Sequence, residues 1–227
     1  MAQVFRKVSD YGYGGSRVLR NTALALILST GALHADQKTI LALGDSLTAG
    51  YGLPREQGFV PQLANWIGQQ GVDVKLINAG VSGSTTAGGL SRVAWSLSDD
   101  VDAMIVALGG NDYLRGVDPQ TSRENLDRIL AKGQEAGIPM LLVGITAGGN
   151  FGADYQTAFN RMYVDLAAKY DIPLYADFFE GLKAAAKTQS GMAKYMQGDG
   201  IHPNPAGLAT IVPSIGPMVL ALVQAEN

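Results

Sequence analysis

Three side chains of the sequence could together form a nucleophile, a base and a carboxylate: Ser46, His202 and Asp199. Asp199 stands three residues before His202, within reach of its Nδ1, where a carboxylate would fix the imidazole tautomer and stabilise the imidazolium. Ser46 stands two residues after a glycine that ends an apolar run. Taken singly, His202 could be a structural histidine and Ser46 a helix N-cap. Taken together, they indicate attack of a serine hydroxyl on a carbonyl.

Such an attack also needs hydrogen-bond donors directed at the developing oxyanion. Gly83 can offer a backbone N–H that no side chain shields, and Asn111 can offer a side-chain amide. Each also has a simpler explanation, Gly83 as a loop glycine and Asn111 as a turn former. These explanations leave unexplained why the serine, the glycine, the asparagine and the Asp–His pair fall in loops expected at one edge of a sheet.

The elements that must position these residues follow from hydrophobic periodicity. Short apolar runs alternate with longer amphipathic ones, which predicts repeated βα units and a parallel sheet. The predicted strands are 40–43, 74–78, 104–108, 140–145 and 174–175. The predicted helices are 59–70, 85–98, 122–136, 155–170 and 205–224. Polar, glycine-rich clusters follow the first three strands, so we expect them to meet in the crevice at the carboxyl ends of the strands.

Composition excludes several classes of site. The 227 residues are 47% hydrophobic, enough for the core of one domain, and contain no cysteine and two histidines. A thiol nucleophile, a disulfide and a cysteine-ligated zinc are therefore excluded, and a metal site of several imidazoles is nearly so. The net charge of −3, without a basic stripe, argues against a nucleic-acid partner.

Residues 1–35 have the features of a secretory signal peptide. Four basic residues precede an apolar run of about a dozen residues, shorter than the roughly 20 that span a bilayer, and a small residue, Ala35, follows it. The sequence thus predicts export to the periplasm or outside the cell, without a stable membrane anchor. Residues 36–227 then form a single domain with one histidine, since His34 is removed. A buried or amphipathic N-terminal helix is the alternative.

Four blocks of the sequence resemble the signature blocks of the GDSL, or SGNH, hydrolases, in order and approximate spacing. They are Gly44-Asp45-Ser46-Leu47, Gly83, Gly109-Gly110-Asn111-Asp112, and Asp199 with His202-Pro203-Asn204. Leu114-Arg115-Gly116 and Asn150-Phe151-Gly152 look most like the branch of periplasmic acyl-CoA thioesterases, lysophospholipases and arylesterases. The resemblance implies an α/β fold, a flavodoxin-like three-layer αβα sandwich with a five-stranded parallel sheet.

The resemblance also implies roles for individual residues. Ser46 would be the nucleophile, His202 the base and then the acid, and Asp199 the residue that orients it. The oxyanion hole would combine the N–H groups of Ser46 and Gly83 with the Asn111 side chain. No metal or organic cofactor is implied.

Other positions are expected to support or border this site. Ser84 replaces an acidic residue expected in close relatives, a change that the oxyanion hole should survive. Asp45 would pack or hydrogen-bond the loop. Residues 113–118 would form a mobile loop over the acyl site, and residues 150–155 its other wall.

The leading hypothesis is therefore a serine hydrolase, by default a monomer, that cleaves small-molecule carboxylic esters and thioesters through an acyl-enzyme. A carbohydrate acetyl esterase with the same fold would use identical site chemistry. A non-catalytic periplasmic ligand-binding domain is the hypothesis from a different class.

Overall fold

A computed structural model describes residues 37–224, in which a parallel sheet lies between two layers of helices. The predicted signal peptide, residues 1–35, lies outside the described residues. The strands are β1 Lys38–Gly44, β2 Val74–Gly80, β3 Ala103–Ala107, β4 Met140–Val143 and β5 Leu174–Tyr175. They pair in parallel in the order β2-β1-β3-β4-β5, the order of flavodoxin-like folds.

Residues 37–224 contain eight α-helices. They are α1 Ser46–Ala49, α2 Phe59–Gln69, α3 Thr86–Ser96, α4 Gly110–Leu114, α5 Pro119–Glu135, α6 Ala153–Tyr170, α7 Glu180–Ala186 and α8 Pro205–Gln224. A hydrophobic cluster lies on each face of the sheet, between the strands and the helices. Helices α2, α7 and α8 pack on one face, and α3, α5 and α6 pack on the other. The expected three-layer αβα sandwich with five parallel strands is confirmed.

The last helix, α8, is long and apolar enough to cross a membrane by length and composition. Its side chains nevertheless belong to the core. Ile211, Ile215 and Val219 are completely buried at helical spacing, whereas Pro213 and Pro217 fall on exposed positions between them. This pattern is that of an amphipathic core helix, because one stripe packs inward while the opposite stripe faces out.

The predicted elements all occur, with shifts at some of their ends. Helix α5 begins at Pro119, three residues before the predicted start, because the Asp118 carboxylate caps it by accepting a hydrogen bond from the Gln120 N–H at 2.7 Å. Strand β4 ends at Val143, two residues early, since its partner β5 ends at Tyr175. The short helices α1, α4 and α7 were not predicted, because four to seven residues carry too little periodicity.

Candidate active site

Ser46 and His202 meet at the edge of the sheet although 156 residues separate them in the sequence. Ser46 is the first residue of α1, immediately beyond β1, and His202 lies in the loop before α8. The Ser46 Oγ is 2.8 Å from the His202 Nε2, and the Nδ1 of the same ring is 2.6 Å from the Asp199 Oδ2. With Nδ1 protonated, the ring donates to Asp199 and accepts from the serine hydroxyl.

Asp199 is held as an anion by its own loop. One carboxylate oxygen accepts from the backbone N–H groups of His202 at 3.0 Å and Ile201 at 2.9 Å, and the other faces the ring. These hydrogen bonds, first among them that from the His202 N–H, lower the pKa of Asp199 to about 2. The short i,i+3 spacing thus makes the loop itself position the carboxylate.

The chain turns tightly between β1 and α1 to present Ser46. A Cβ at Gly44 would lie only 2.0 Å from the Thr48 Oγ1, so glycine is required there. The Asp45 carboxylate caps α1 by accepting a hydrogen bond from the Leu47 N–H at 3.0 Å. Asp45 is 2% exposed, and this burial raises its pKa to about 6.

Asn111, which follows β3 in the chain, approaches Asp45 beside Ser46. It lies in α4, and its Nδ2 is 3.4 Å from the second carboxylate oxygen of Asp45. Its neighbour Asp112 is buried and accepts hydrogen bonds from the backbone and hydroxyl of Thr86 at 2.8 and 2.6 Å and from Ser122 at 3.0 Å. Asp112 therefore fastens α4 to α3 and α5, a role that the sequence analysis did not assign.

Gly83 lies in the loop after β2 with a φ of +79°, a conformation that favours glycine. Its carbonyl accepts a hydrogen bond from the Arg115 guanidinium at 3.0 Å. The next residue, Ser84, stands where an acidic residue was expected, and its Oγ is 2.6 Å from Nη1 of Arg92. Arg92 also donates to the carbonyl oxygen of Gly44 at 2.6 Å, so this guanidinium joins the loops of β1 and β2. Arg92 was not singled out in the sequence, and Arg115 was named only as part of the Leu114-Arg115-Gly116 resemblance.

A cavity of about 810 Å³ opens along the carboxyl ends of the strands. The five predicted residues are brought together here: Ser46, Gly83, Asn111 and His202 line the cavity, and Asp199 backs His202. Among the described residues, no group of three or more His, Asp or Glu side chains is arranged to hold a metal ion.

The two predicted wall segments contribute to this cavity. Tyr113, Leu114 and Asn150 line it. The Tyr113 ring packs edge-on against Phe151 at 6.0 Å between centroids, and its hydroxyl accepts a hydrogen bond from the Gly148 N–H at 3.0 Å. These contacts join the two walls, while the mobility of residues 113–118 stays a prediction.

Comparison with known proteins agrees with this geometry. The GDSL-like Lipase/Acylhydrolase family matches residues 42–209. The chain is 36% identical to Esterase TesA of Pseudomonas aeruginosa over 91% of its length and 98% of the relative's. It is 38% identical to Thioesterase 1/protease 1/lysophospholipase L1 of Escherichia coli over 79% of its length and 81% of the relative's. A crystal structure of TesA, 35% identical, covers 82% of this chain and 99% of its own with a TM-score of 0.73. The chain therefore belongs to the GDSL-like lipase/acylhydrolase family.

Proposed function

We propose that the protein is a serine hydrolase that cleaves carboxylic esters and thioesters through an acyl-enzyme on Ser46. The observation that carries this proposal is the continuous contact from Ser46 Oγ to His202 to Asp199, at 2.8 and 2.6 Å, beside a cavity whose lining combines apolar and polar side chains. The names of the relatives, which include an esterase, an arylesterase and a thioesterase, support the same reaction class.

In the first half of the reaction, the Ser46 Oγ bonds to the acyl carbon while its proton moves to the His202 Nε2. The carboxylate of Asp199 stabilises the resulting imidazolium. The imidazolium then gives its proton to the leaving alkoxide or thiolate as the bond from the acyl carbon to oxygen or sulfur breaks. The alcohol or thiol departs, and the acyl group stays on Ser46.

In the second half, His202 takes a proton from water as the water oxygen bonds to the acyl carbon. The bond to Ser46 then breaks, the proton returns to the serine oxygen, and the carboxylic acid leaves. In both halves, the N–H groups of Ser46 and Gly83 and the Asn111 amide donate hydrogen bonds to the negatively charged oxygen on the acyl carbon. Each such donor typically contributes a hundred- to a thousandfold in rate, about 3–4 kcal/mol.

The cavity favours a fatty acyl group over an acetyl group. Its volume of about 810 Å³ exceeds what an acetyl group fills, and Ile145, Phe179 and Met192 are among its lining residues. A carbohydrate acetyl esterase would need a polar surface for the sugar and a short acyl pocket. We therefore place fatty acyl esters and thioesters before acetylated sugars.

We further propose that residues 1–35 direct export and that residues 36–227 act as a monomer without a cofactor or a stable membrane anchor. The family match begins at residue 42, beyond the signal-like segment, which supports this division. Fractionation of expressing cells, with the intact mass of the recovered protein, tests export. Recovery of the full-length chain in the cytoplasm would contradict it.

The function is tested by hydrolysis of p-nitrophenyl acetate, butyrate, octanoate and palmitate and of a fatty acyl-CoA. We expect Ser46→Ala and His202→Ala each to lower kcat by about a thousandfold or more. Ser91→Ala, which removes an exposed hydroxyl from α3, is the matched control and should keep wild-type turnover. Wild-type turnover in both site variants would refute the mechanism, and a folded wild type without activity would favour a binding domain.

A further inference from the structure

The cavity extends sideways across the sheet from Ser46. Its lining includes residues that follow four adjacent strands: Ser46 after β1, Asn111 after β3, Ile145 after β4 and Asp177 after β5. Neighbouring strands lie about 4.8 Å apart, so β1 and β5 are separated by roughly 14 Å. A long substituent on the acyl carbon at Ser46 would therefore run along the strand ends towards β5.

The lining changes character along this path. Near its middle the side chains are mostly apolar, with Ile145 after β4 and Tyr113 and Leu114 from α4. After β5, two charged side chains line the cavity. Lys183 of α7 donates a hydrogen bond from its Nζ to the Asp177 carboxylate, which also accepts from the Phe179 N–H at 3.0 Å.

This ion pair is fixed by hydrogen bonds and remains partly exposed to solvent. The Asp177 side chain is 11% exposed, and the Lys183 side chain on the solvent side is 49% exposed. An alkyl chain that reached the pair would remove water from both charged groups and offer no hydrogen bond in return. The gain from burying further methylene groups would end there.

We propose that the ion pair of Asp177 and Lys183 sets the upper length of the acyl chain that the enzyme takes. The proposal rests on the proposed ester and thioester hydrolysis at Ser46. Each carbon of an extended chain advances roughly 1.3 Å, given single bonds of about 1.5 Å. A path of roughly 14 Å therefore holds about ten carbons, which makes medium-chain acyl esters and thioesters the preferred class.

The test is a chain-length series of soluble p-nitrophenyl esters from butyrate to palmitate, each below its aggregation limit. In the wild type we expect kcat/KM to rise by up to about fourfold per methylene, as for burial of an alkyl group, and to stop rising near decanoate. In the double variant Asp177→Asn/Lys183→Met the rise should continue. The ratio of kcat/KM for palmitate to that for octanoate should grow at least tenfold.

Matched variants separate the effect of the pair's charge on chain length from its effect on the fold. Asn at position 177 can still accept the Phe179 N–H, so the start of α7 is kept. Lys183→Arg keeps the ion pair, so kcat/KM should still stop rising with chain length. Lys132→Met breaks the exposed pair with Glu135 on α5, far from the cavity, and should also change nothing. Should the double variant not fold, Asp177→Asn alone removes the buried charge and leaves the half-exposed Lys183 free to turn to solvent, so it should move the limit in the same direction by less.

The outcomes are distinguishable. A folded double variant with the wild-type chain-length profile would overturn the role of the ion pair while leaving ester hydrolysis intact. An equal loss on butyrate and palmitate would overturn it as well, because the pair would then be purely structural. A wild type that hydrolyses none of the esters would refute the proposed function itself, and the inference would fail with it.

Discussion

Two carboxylates flank the contact between Ser46 and His202, and their surroundings are opposite. Asp45, next to Ser46, is 2% exposed, and burial raises its pKa to about 6. Asp199 lies in an exposed loop, where hydrogen bonds led by the His202 N–H lower its pKa to about 2. The loop of Asp199 and His202 therefore stabilises the charged form of its carboxylate. At Asp45, by contrast, an ionised carboxylate is buried at a cost to the stability of the fold.

The two halves of the site are built by different means. The Asp199–His202 half is local, because four consecutive residues supply the carboxylate, its hydrogen-bond donors and the imidazole. The Ser46 half depends on burial and on partners from other strands, including Asn111 from beyond β3 and Arg92 from α3. Variants in the first half should affect rate more than stability, and variants at Asp45 should affect both.

The largest effect is expected from Asp199→Asn. The amide would present an N–H to Nδ1, so that the ring would carry its proton on Nε2 and could not accept one from Ser46. We expect kcat to fall by about a thousand- to ten-thousandfold. The melting temperature should change little, because the loop is exposed. Steady-state kinetics and thermal unfolding measure the two effects, and a loss of less than tenfold would contradict the assigned role.

Asn111→Ala tests the nucleophile half directly. Removal of one amide donor from the proposed oxyanion hole should lower kcat by about a hundred- to a thousandfold while KM changes little. The hydrogen bonds that Asp112 accepts from Thr86 and Ser122 are unaffected, so α4 should stay attached to α3 and α5. If KM rose and kcat stayed constant, Asn111 would bind substrate rather than stabilise the oxyanion.

Asp45→Asn should have opposite effects on rate and stability, because it should slow the enzyme and stabilise the fold. Loss of the charge weakens the acceptor for Asn111 and removes an anion near the imidazolium, so we expect kcat to fall by about tenfold. At pH 8 the variant should be more stable than the wild type by roughly 1–3 kcal/mol, because folding no longer buries an ionised carboxylate.

The sign of this pH effect follows from the raised pKa. Between the unfolded value of 3.8 and the folded value of about 6, the folded state binds more protons than the unfolded state. Wild-type stability should therefore decline as pH rises through this window, and the advantage of the variant should vanish near pH 4. Urea unfolding at pH 4 and pH 8 measures both proteins. Equal stability of the two at pH 8 would rule this account out.

The smallest effect is expected from Tyr51→Leu, which removes a contact that the Asp199–His202 half receives from outside its own loop. The Tyr51 ring packs against the His202 ring at a tilt of 39°, with 4.7 Å between centroids, yet 53% of Tyr51 is exposed. An aromatic pair of this kind contributes about 0.5–1.5 kcal/mol, so kcat should fall by about two- to tenfold. Kinetics with the butyrate ester check this value. A loss as large as that of Asp199→Asn would mean that the loop needs external support after all.

Much of this arrangement could be predicted from local patterns. The five strands are short apolar runs bounded by turn residues, and the longer helices have an apolar stripe, so both kinds of element were recognisable. The pairing of Asp199 with His202 was visible because it lies within a single turn. Ser46 was recognisable from the glycine and aspartate before it, and the four blocks supplied the family resemblance.

The remaining features depend on contacts between distant residues. Arg92 reaches the carbonyl of Gly44 across 48 positions, and Asp112 accepts a hydrogen bond from Thr86 across 26. Such pairs are set by how the helices pack on the sheet, and no local spacing reports them. The Asp177–Lys183 pair lies six positions apart, with only Lys183 in α7, and its position on the cavity wall follows from the strand order, in which β5 lies beyond β4.

The central claim is that Ser46 forms the covalent bond to the acyl group. The most direct measurement is to label the enzyme with a fluorophosphonate and to locate the adduct by intact mass and peptide mapping. We predict a single adduct, on the peptide that contains Ser46, that is absent from Ser46→Ala. Ser82→Ala, which removes another hydroxyl lining the cavity, should keep the adduct. An adduct on Ser82, or labelling of Ser46→Ala to the wild-type extent, would contradict the account.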